Sequence, residues 1–213
     1  MSASAGSSGE AYLREIREQP ELLVRLADRG EDFASVAAEI RRRGWRTIRM
    51  VGHGSSDNAA TYGVYSFGLL AGLTALRDSI SLSVYYGAEI DLSDSCVLAL
   101  SQSGRTPDVV EYVERARRRG TFTIAVTNDA DSPLAAAADA VLALGAGEEH
   151  AVAATKTYTA QVAVLLLLSA HAGGDGARYC DALHATAAAL ADALPGLEER
   201  LTAVAAVACN ASP

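Results

Sequence analysis

The sequence predicts an α/β fold: a three-layer α/β/α sandwich with a five-stranded parallel sheet and helical extensions at both ends. Three observations carry that prediction. From Thr47 onward, short apolar runs alternate with longer helical patterns, the mark of strand–helix–strand units. One of the runs, Cys96 to Leu100, is apolar throughout, as strands covered on both faces are. Polar loops at Gly52 to Asp57, Ser101 to Thr106 and Glu148 to Lys156 follow strands, where such sheets bind ligands.

Taken in order, Met1 to about Ser8 is mostly Ser, Ala and Gly and is expected to be disordered. Glu10 to Glu18 reads as a helix that stops before Pro20, because the residue ahead of a proline avoids helical backbone. A second helix runs from about Pro20 to Arg43, with a break near Gly30, and Gly44 ends it. Thr47 to Val51 is the first strand. Asn58 to Gly72, small and apolar, is a helix packed on the sheet. Ser79 to Tyr85 is strand-like, and Gly87 to Ile90 forms a short turn of helix. Cys96 to Leu100 is the third strand, Asp108 to Arg119 the helix behind it, and Gly120 its cap. Thr121 to Thr127, β-branched and apolar, is the fourth strand. Asn128 to Pro133 is turn chemistry leading into a short helix. Ala140 to Leu144 is the fifth strand and Gly145 to Ala154 a loop. Thr155 opens a long helix to about Ala172, broken by Gly173-Gly174. Two Ala-rich helices follow, split near Pro195, and Asn210 to Pro213 is expected to fray. The expected division is a helical arm (1–45), the sheet domain (46–173) and a C-terminal helical segment (174–213).

The 213 residues suffice for one sizeable core, and half of them are hydrophobic, which excludes a disordered chain. A net charge of -8 argues against nucleic acid as the main partner. The basic clusters Arg41-Arg42-Arg43 and Arg115 with Arg117 to Arg119 sit where helices end, which the helix dipole favours. The cysteines Cys96, Cys180 and Cys209 are odd in number and lack metal-ligand spacing, which fits a reducing compartment. No metal and no cofactor is expected. The N-terminus has no signal-peptide pattern. The apolar run Val162 to Leu168 is short of the ~20 residues a membrane span needs, so a cytoplasmic protein without membrane contact is expected.

The stretch Cys96 to Val110 organises the chain. An apolar strand turns at once into Ser101, Gln102, Ser103, Gly104, Arg105 and Thr106, and Pro107 then opens a helix. The loop therefore combines short hydroxyls with the free N–H groups and positive pole of a helix start, a combination suited to phosphate. The plainer reading is that Ser103 or Thr106 only caps the helix.

These features resemble the sugar isomerase (SIS) domain, a flavodoxin-like fold. More narrowly, they resemble the first of two SIS modules in the isomerase half of glucosamine-6-phosphate synthase and its relatives. The matching residues are Gly54-Ser55-Ser56, Ser101 to Thr106 and Val152-Ala153-Ala154-Thr155-Lys156-Thr157, with Ile16 to Pro20 similar to the family's helical lead-in. The resemblance implies that Ser101, Gln102, Ser103 and Thr106 hold a sugar phosphate. It implies that Ser56, beside Gly54 and Ser55, meets the phosphate or sugar, and that Val152 and Ala153 make backbone contacts. Lys156 supports an anionic ligand or is held by packing alone. Two departures matter. Nothing here matches the synthases' glutaminase domain, and Arg105 stands where they usually carry glutamate, which favours deaminase or isomerase relatives. The family's catalytic glutamate and lysine lie in and after a second module, and the chain stops at Pro213, about where that module should begin.

Aldose–ketose isomerisation needs a base near C2. Glu148, Glu149, His150 and His53 are the candidates, and the sequence supplies none of them with a partner to tune it. Asp139, His171 and His184 have structural readings. The expected function is binding of an amino-sugar or hexose phosphate, such as glucosamine or fructose 6-phosphate, as half of an isomerase or deaminase. The alternative is a non-catalytic sugar-phosphate-binding module. A transcriptional regulator is disfavoured, because residues 1–45 lack a helix-turn-helix with a basic face. The expected partners are a phosphorylated sugar and a second copy of the chain in a homodimer.

Overall fold

The computed structural model describes residues 5–209, with the side chains of 9–202, 204 and 205. Five parallel strands form one sheet in the order β2-β1-β3-β4-β5. They are β1 (Thr47–Val51), β2 (Thr74–Arg77), β3 (Ser95–Leu100), β4 (Thr123–Thr127) and β5 (Ala140–Ala143). All neighbours pair in parallel, with Ile48 beside Cys96 and Leu98 beside Ile124. The three-layer sandwich expected from the sequence is therefore the observed fold.

The central strand shows why. Every residue of β3 is buried. Its side chains alternate between two cores, as a pleated strand requires. Cys96, Leu98 and Leu100 join the larger core, and Val97 and Ala99 the smaller. The larger core is covered by α2 (Gln19–Ala27), α3 (Gly30–Arg43), α4 (Ser55–Ser66) and α8 (Lys156–Gly173). The smaller is covered by α5 (Ile80–Val84), α6 (Pro107–Arg118) and α7 (Pro133–Ala137). Helix α8 is apolar nearly all round, because α2, α3, α4 and α9 (Gly176–Cys209) all pack against it. Among the described residues no helix is long and apolar enough to cross a membrane.

Strand β1 runs through α4 to β2 on one side, and β3 runs through α6 to β4 on the other. These two helices lie on opposite faces. The chain therefore diverges between the carboxyl ends of β1 and β3, opening the crevice in which doubly wound sheets bind ligands.

Several expectations need correction. The second strand is Thr74–Arg77, not Ser79 to Tyr85, which holds α5 instead. Ile80 and Val84, one helical turn apart, pack into the smaller core, while Leu82 is 46% exposed. Gly87 to Ile90 is irregular rather than helical. Helix α1 (Ala5–Arg17) begins inside the stretch expected to be disordered, since extending a helix costs less than starting one. Met1 to Ser4 and Asn210 to Pro213 lie outside the described residues. Helix α9 runs through Pro195 instead of splitting. Proline deletes one backbone hydrogen bond, and the Ala- and Leu-rich flanks hold the helix on either side.

Candidate functional site

A cavity of about 300 Å³ opens in the crevice, lined by residues from all three polar loops. From the first loop come His53, Ser55 and Ser56. Gly54 adopts φ +57° and turns the chain from β1 into α4 without lining the cavity itself. Ser56 is buried, and its hydroxyl accepts a hydrogen bond from Gln161 Nε2 at 3.1 Å. The other end of that amide, Gln161 Oε1, is fully buried with no partner among the described residues. Buried acceptors rarely go unpaired, so an orphan in a cavity wall marks where a ligand donor fits.

The second loop supplies Ser101, Gln102, Ser103 and Thr106. Thr106 stands at the N-cap of α6, yet its side chain caps nothing. Its hydroxyl lies 3.0 Å from Ser101 Oγ instead. Ser103 Oγ accepts from Arg105 N at 3.3 Å, within the loop. Thr106 therefore does not cap the helix, contrary to its plainer reading, and of the first N–H groups Val109 N is taken by Asp108 Oδ1 at 3.0 Å. The loop is held from behind by β4 and α7. Ser101 N donates to Val126 O, Asn128 N to Gln102 O and Leu134 N to Gly104 O. Gly104 adopts φ +64°, and a Cβ there would collide with Ser132 Oγ and stand 2.7 Å from Thr127 Oγ1. Arg105 turns outward to Asp129 at 2.9 Å and does not line the cavity.

The third loop contributes Glu149, Ala151, Val152 and Ala154, followed by Thr157, Tyr158 and Gln161 of α8. Val152 is 97% exposed and forms the rim. Ala153 is exposed and does not line the cavity. Lys156 does not line it either. Its side chain is buried and its Nζ donates to Glu18 Oε2 at 2.6 Å, in a separate cavity beside α1 and α2. Glu149 accepts from Thr155 N at 3.0 Å and Thr157 N at 3.1 Å, so its carboxylate closes the start of α8.

Of the four base candidates, the cavity takes in His53 and Glu149, while Glu148 and His150 line the other cavity. The sequence offered His53 no partner, but the structure supplies one. His53 Nε2 lies 2.7 Å from Asp108 Oδ2, and the Tyr85 hydroxyl donates to the same oxygen at 3.3 Å. Burial pushes the Asp108 carboxyl up. The His53 hydrogen bond and charge and the Tyr85 hydroxyl push it down and prevail, leaving it below the usual carboxylate value. Sequence reasoning also passed over Gln161, which lines the cavity. The signal was a glutamine directly before the apolar run Val162 to Leu168.

A parallel doubly wound sheet with a polar crevice at its switch point defines a ligand-binding domain of the α/β class. The chain belongs to the SIS domain family, whose model matches residues 43–170. It is 38% identical to the glutamine–fructose-6-phosphate aminotransferase (isomerizing) of Aeropyrum pernix over 83% of this chain and 29% of that one. It is 36% identical to the same-named protein of Symbiobacterium thermophilum, over 83% of this chain and 30% of that one. The chain thus spans less than a third of the length of these curated relatives. Among solved structures, a candidate phosphosugar isomerase from Silicibacter pomeroyi superposes with TM-score 0.76 and 39% identity, over 86% of this chain and 55% of that one.

Proposed function

We propose that the chain binds a phosphorylated sugar, an amino-sugar or hexose phosphate, in the crevice between β1 and β3. The observation that carries the proposal is the gathering of Ser101, Gln102, Ser103 and Thr106 on one wall of the cavity at the start of α6, with the Thr106 hydroxyl not spent on capping that helix. In this reading those four residues hold the phosphate. Ser55, Ser56, Gln161 and the loop around Val152 face the sugar, whose hydroxyls supply the donor that Gln161 Oε1 lacks. Gly54 and Gly104 shape the two loops, and Ala153 and Lys156 support the third from outside the cavity. Residues 46–173 form the binding body, and 1–45 and 174–213 are its helical extensions. The relatives' names, with fructose 6-phosphate, isomerization and phosphosugars, support this class of ligand. We further propose that the chain serves as one half of an aldose–ketose isomerase or deaminase, in the cytoplasm and as a homodimer.

A second reading, a binding module without turnover, is favoured by one observation. Glu149, the carboxylate in the cavity wall, is engaged in closing α8. Calorimetry tests the shared core of both readings. Fructose 6-phosphate and glucosamine 6-phosphate are expected to bind, and fructose and glucosamine to bind at least tenfold more weakly. Hydrogen bonds to a charged group contribute ~1.5–3 kcal/mol each, so Ser103→Ala should weaken the phosphorylated ligands by roughly tenfold or more. Equal affinity for sugar and sugar phosphate would refute the anion-site reading.

A further inference from the structure

Glu15 lies on α1, outside the cavity, and is 1% exposed. Burying a carboxylate is costly unless its oxygens are hydrogen-bonded. Among the described residues no arginine, lysine or histidine pairs with it. Its oxygens are satisfied instead by backbone. Oε1 accepts from His150 N at 2.5 Å, and Oε2 from Ala151 N at 3.2 Å. Both amides belong to the loop whose Ala151, Val152 and Ala154 line the cavity.

The next turn of the arm continues the grip. Glu18 takes Lys156 Nζ, and Gln19 Oε1 accepts from Thr159 Oγ1 at 2.9 Å. The loop is therefore pinned from outside at residues 150 and 151 by the arm, and from within by Glu149 at the start of α8. The hydroxyl loop of residues 101–106 is held by other elements. Its anchors Val126, Asn128 and Leu134 belong to the β4–α7 side.

We propose that Glu15 is a positioning residue. Through two backbone amides, the arm fixes the shape of the loop over the sugar end of the cavity and leaves the phosphate end untouched. The proposal rests on the crevice being a sugar-phosphate pocket, and it adds a separable claim: recognition of sugar and of phosphate depend on different parts of the chain.

The experiment measures binding of fructose 6-phosphate and of inorganic phosphate by the full chain and by Glu15→Gln and Glu15→Ala, well below each melting midpoint. Charge-assisted bonds of this kind predict a loss of roughly tenfold or more for fructose 6-phosphate in Glu15→Ala. Glu15→Gln, which keeps one acceptor oxygen, should fall between it and the wild type. The affinity for inorganic phosphate should stay within about twofold, because its wall has separate anchors. Amide exchange at His150 and Ala151 should quicken in Glu15→Gln, a readout that needs no ligand and survives if Glu15→Ala does not fold. Unchanged fructose 6-phosphate affinity, or an equal loss for both ligands, would overturn the positioning role. Unchanged exchange at the two amides would overturn it as well. Wild-type chain that binds neither ligand would overturn the pocket reading, and the positioning role with it.

Discussion

At the scale of single residues, the site depends on backbone that few side chains tolerate. Gly104 combines φ +64° with close contact to Ser132 and Thr127. Gly104→Ala should therefore incur about 1–2 kcal/mol for left-handed backbone and about 1–3 kcal/mol more for forced displacement. Gly54 has φ +57° and ψ −123°, backbone that glycine alone adopts readily, and a Cβ there meets nothing within 4 Å, so Gly54→Ala should show backbone strain without a clash. Denaturant midpoints test this: Ser132→Gly should recover part of the loss caused by Gly104→Ala, and no recovery would remove the packing role assigned to Ser132. The hydroxyls of the site were legible in the sequence because they cluster after an apolar run. His53 was legible as a candidate, but its pairing was not, because its partner Asp108 lies on another element and reaches it only across the crevice. The ion pair of Lys156 was not legible either: the residue sits in the loop motif, yet its long side chain reaches Glu18 of the arm.

At the scale of elements, α3 shows how local charge shapes stability. The hydrogen bonds from Arg42 and Arg43 to Glu39 hold its carboxyl well below the ordinary value of 4.5, at about 2. A carboxylate depressed in the folded state stabilises it above the unfolded value and loses that contribution as pH falls through the folded value. The melting temperature of wild type should therefore exceed that of Glu39→Gln near pH 6. The gap should narrow below pH 4.5 and vanish near pH 2. A gap that persists at the acid end would mean that the bridge is not its source. The strands of the sheet centre were legible because β3 and β4 are wholly buried, and burial on both faces demands unbroken apolar sequence. β2 was not. As an edge strand with no fully buried residue, Thr-Ala-Leu-Arg carries no such demand, while Ser79 to Tyr85 alternates polar and apolar residues and imitates a strand. What decides that segment is the fit of Ile80 and Val84 into the core as one face of a helix.

At the scale of the whole molecule, three loops distant in sequence meet at one edge of the sheet, and the arm braces one of them. That convergence was legible from the alternation of strands and helices alone, because all-parallel pairing puts every strand-to-helix loop at the same edge. The brace was not, since it runs through backbone amides that no motif records. Leu13, Leu197 and Leu201, 42% to 63% exposed, line one apolar groove between α1 and α9 that the proposed homodimer would cover. Light scattering should give twice the chain's 22.1 kDa for wild type. It should give the single mass for the Leu197→Asp, Leu201→Asp double variant, and a wild type of single mass would remove the homodimer from the proposal. The sheet itself offers no comparable invitation. Both of its outer strands, β2 and β5, are only four residues long. An unpaired strand is a template onto which another chain can zip, and the gain grows with each rung. Four rungs leave little to copy. The rims of the sheet are therefore poor seeds for fibres.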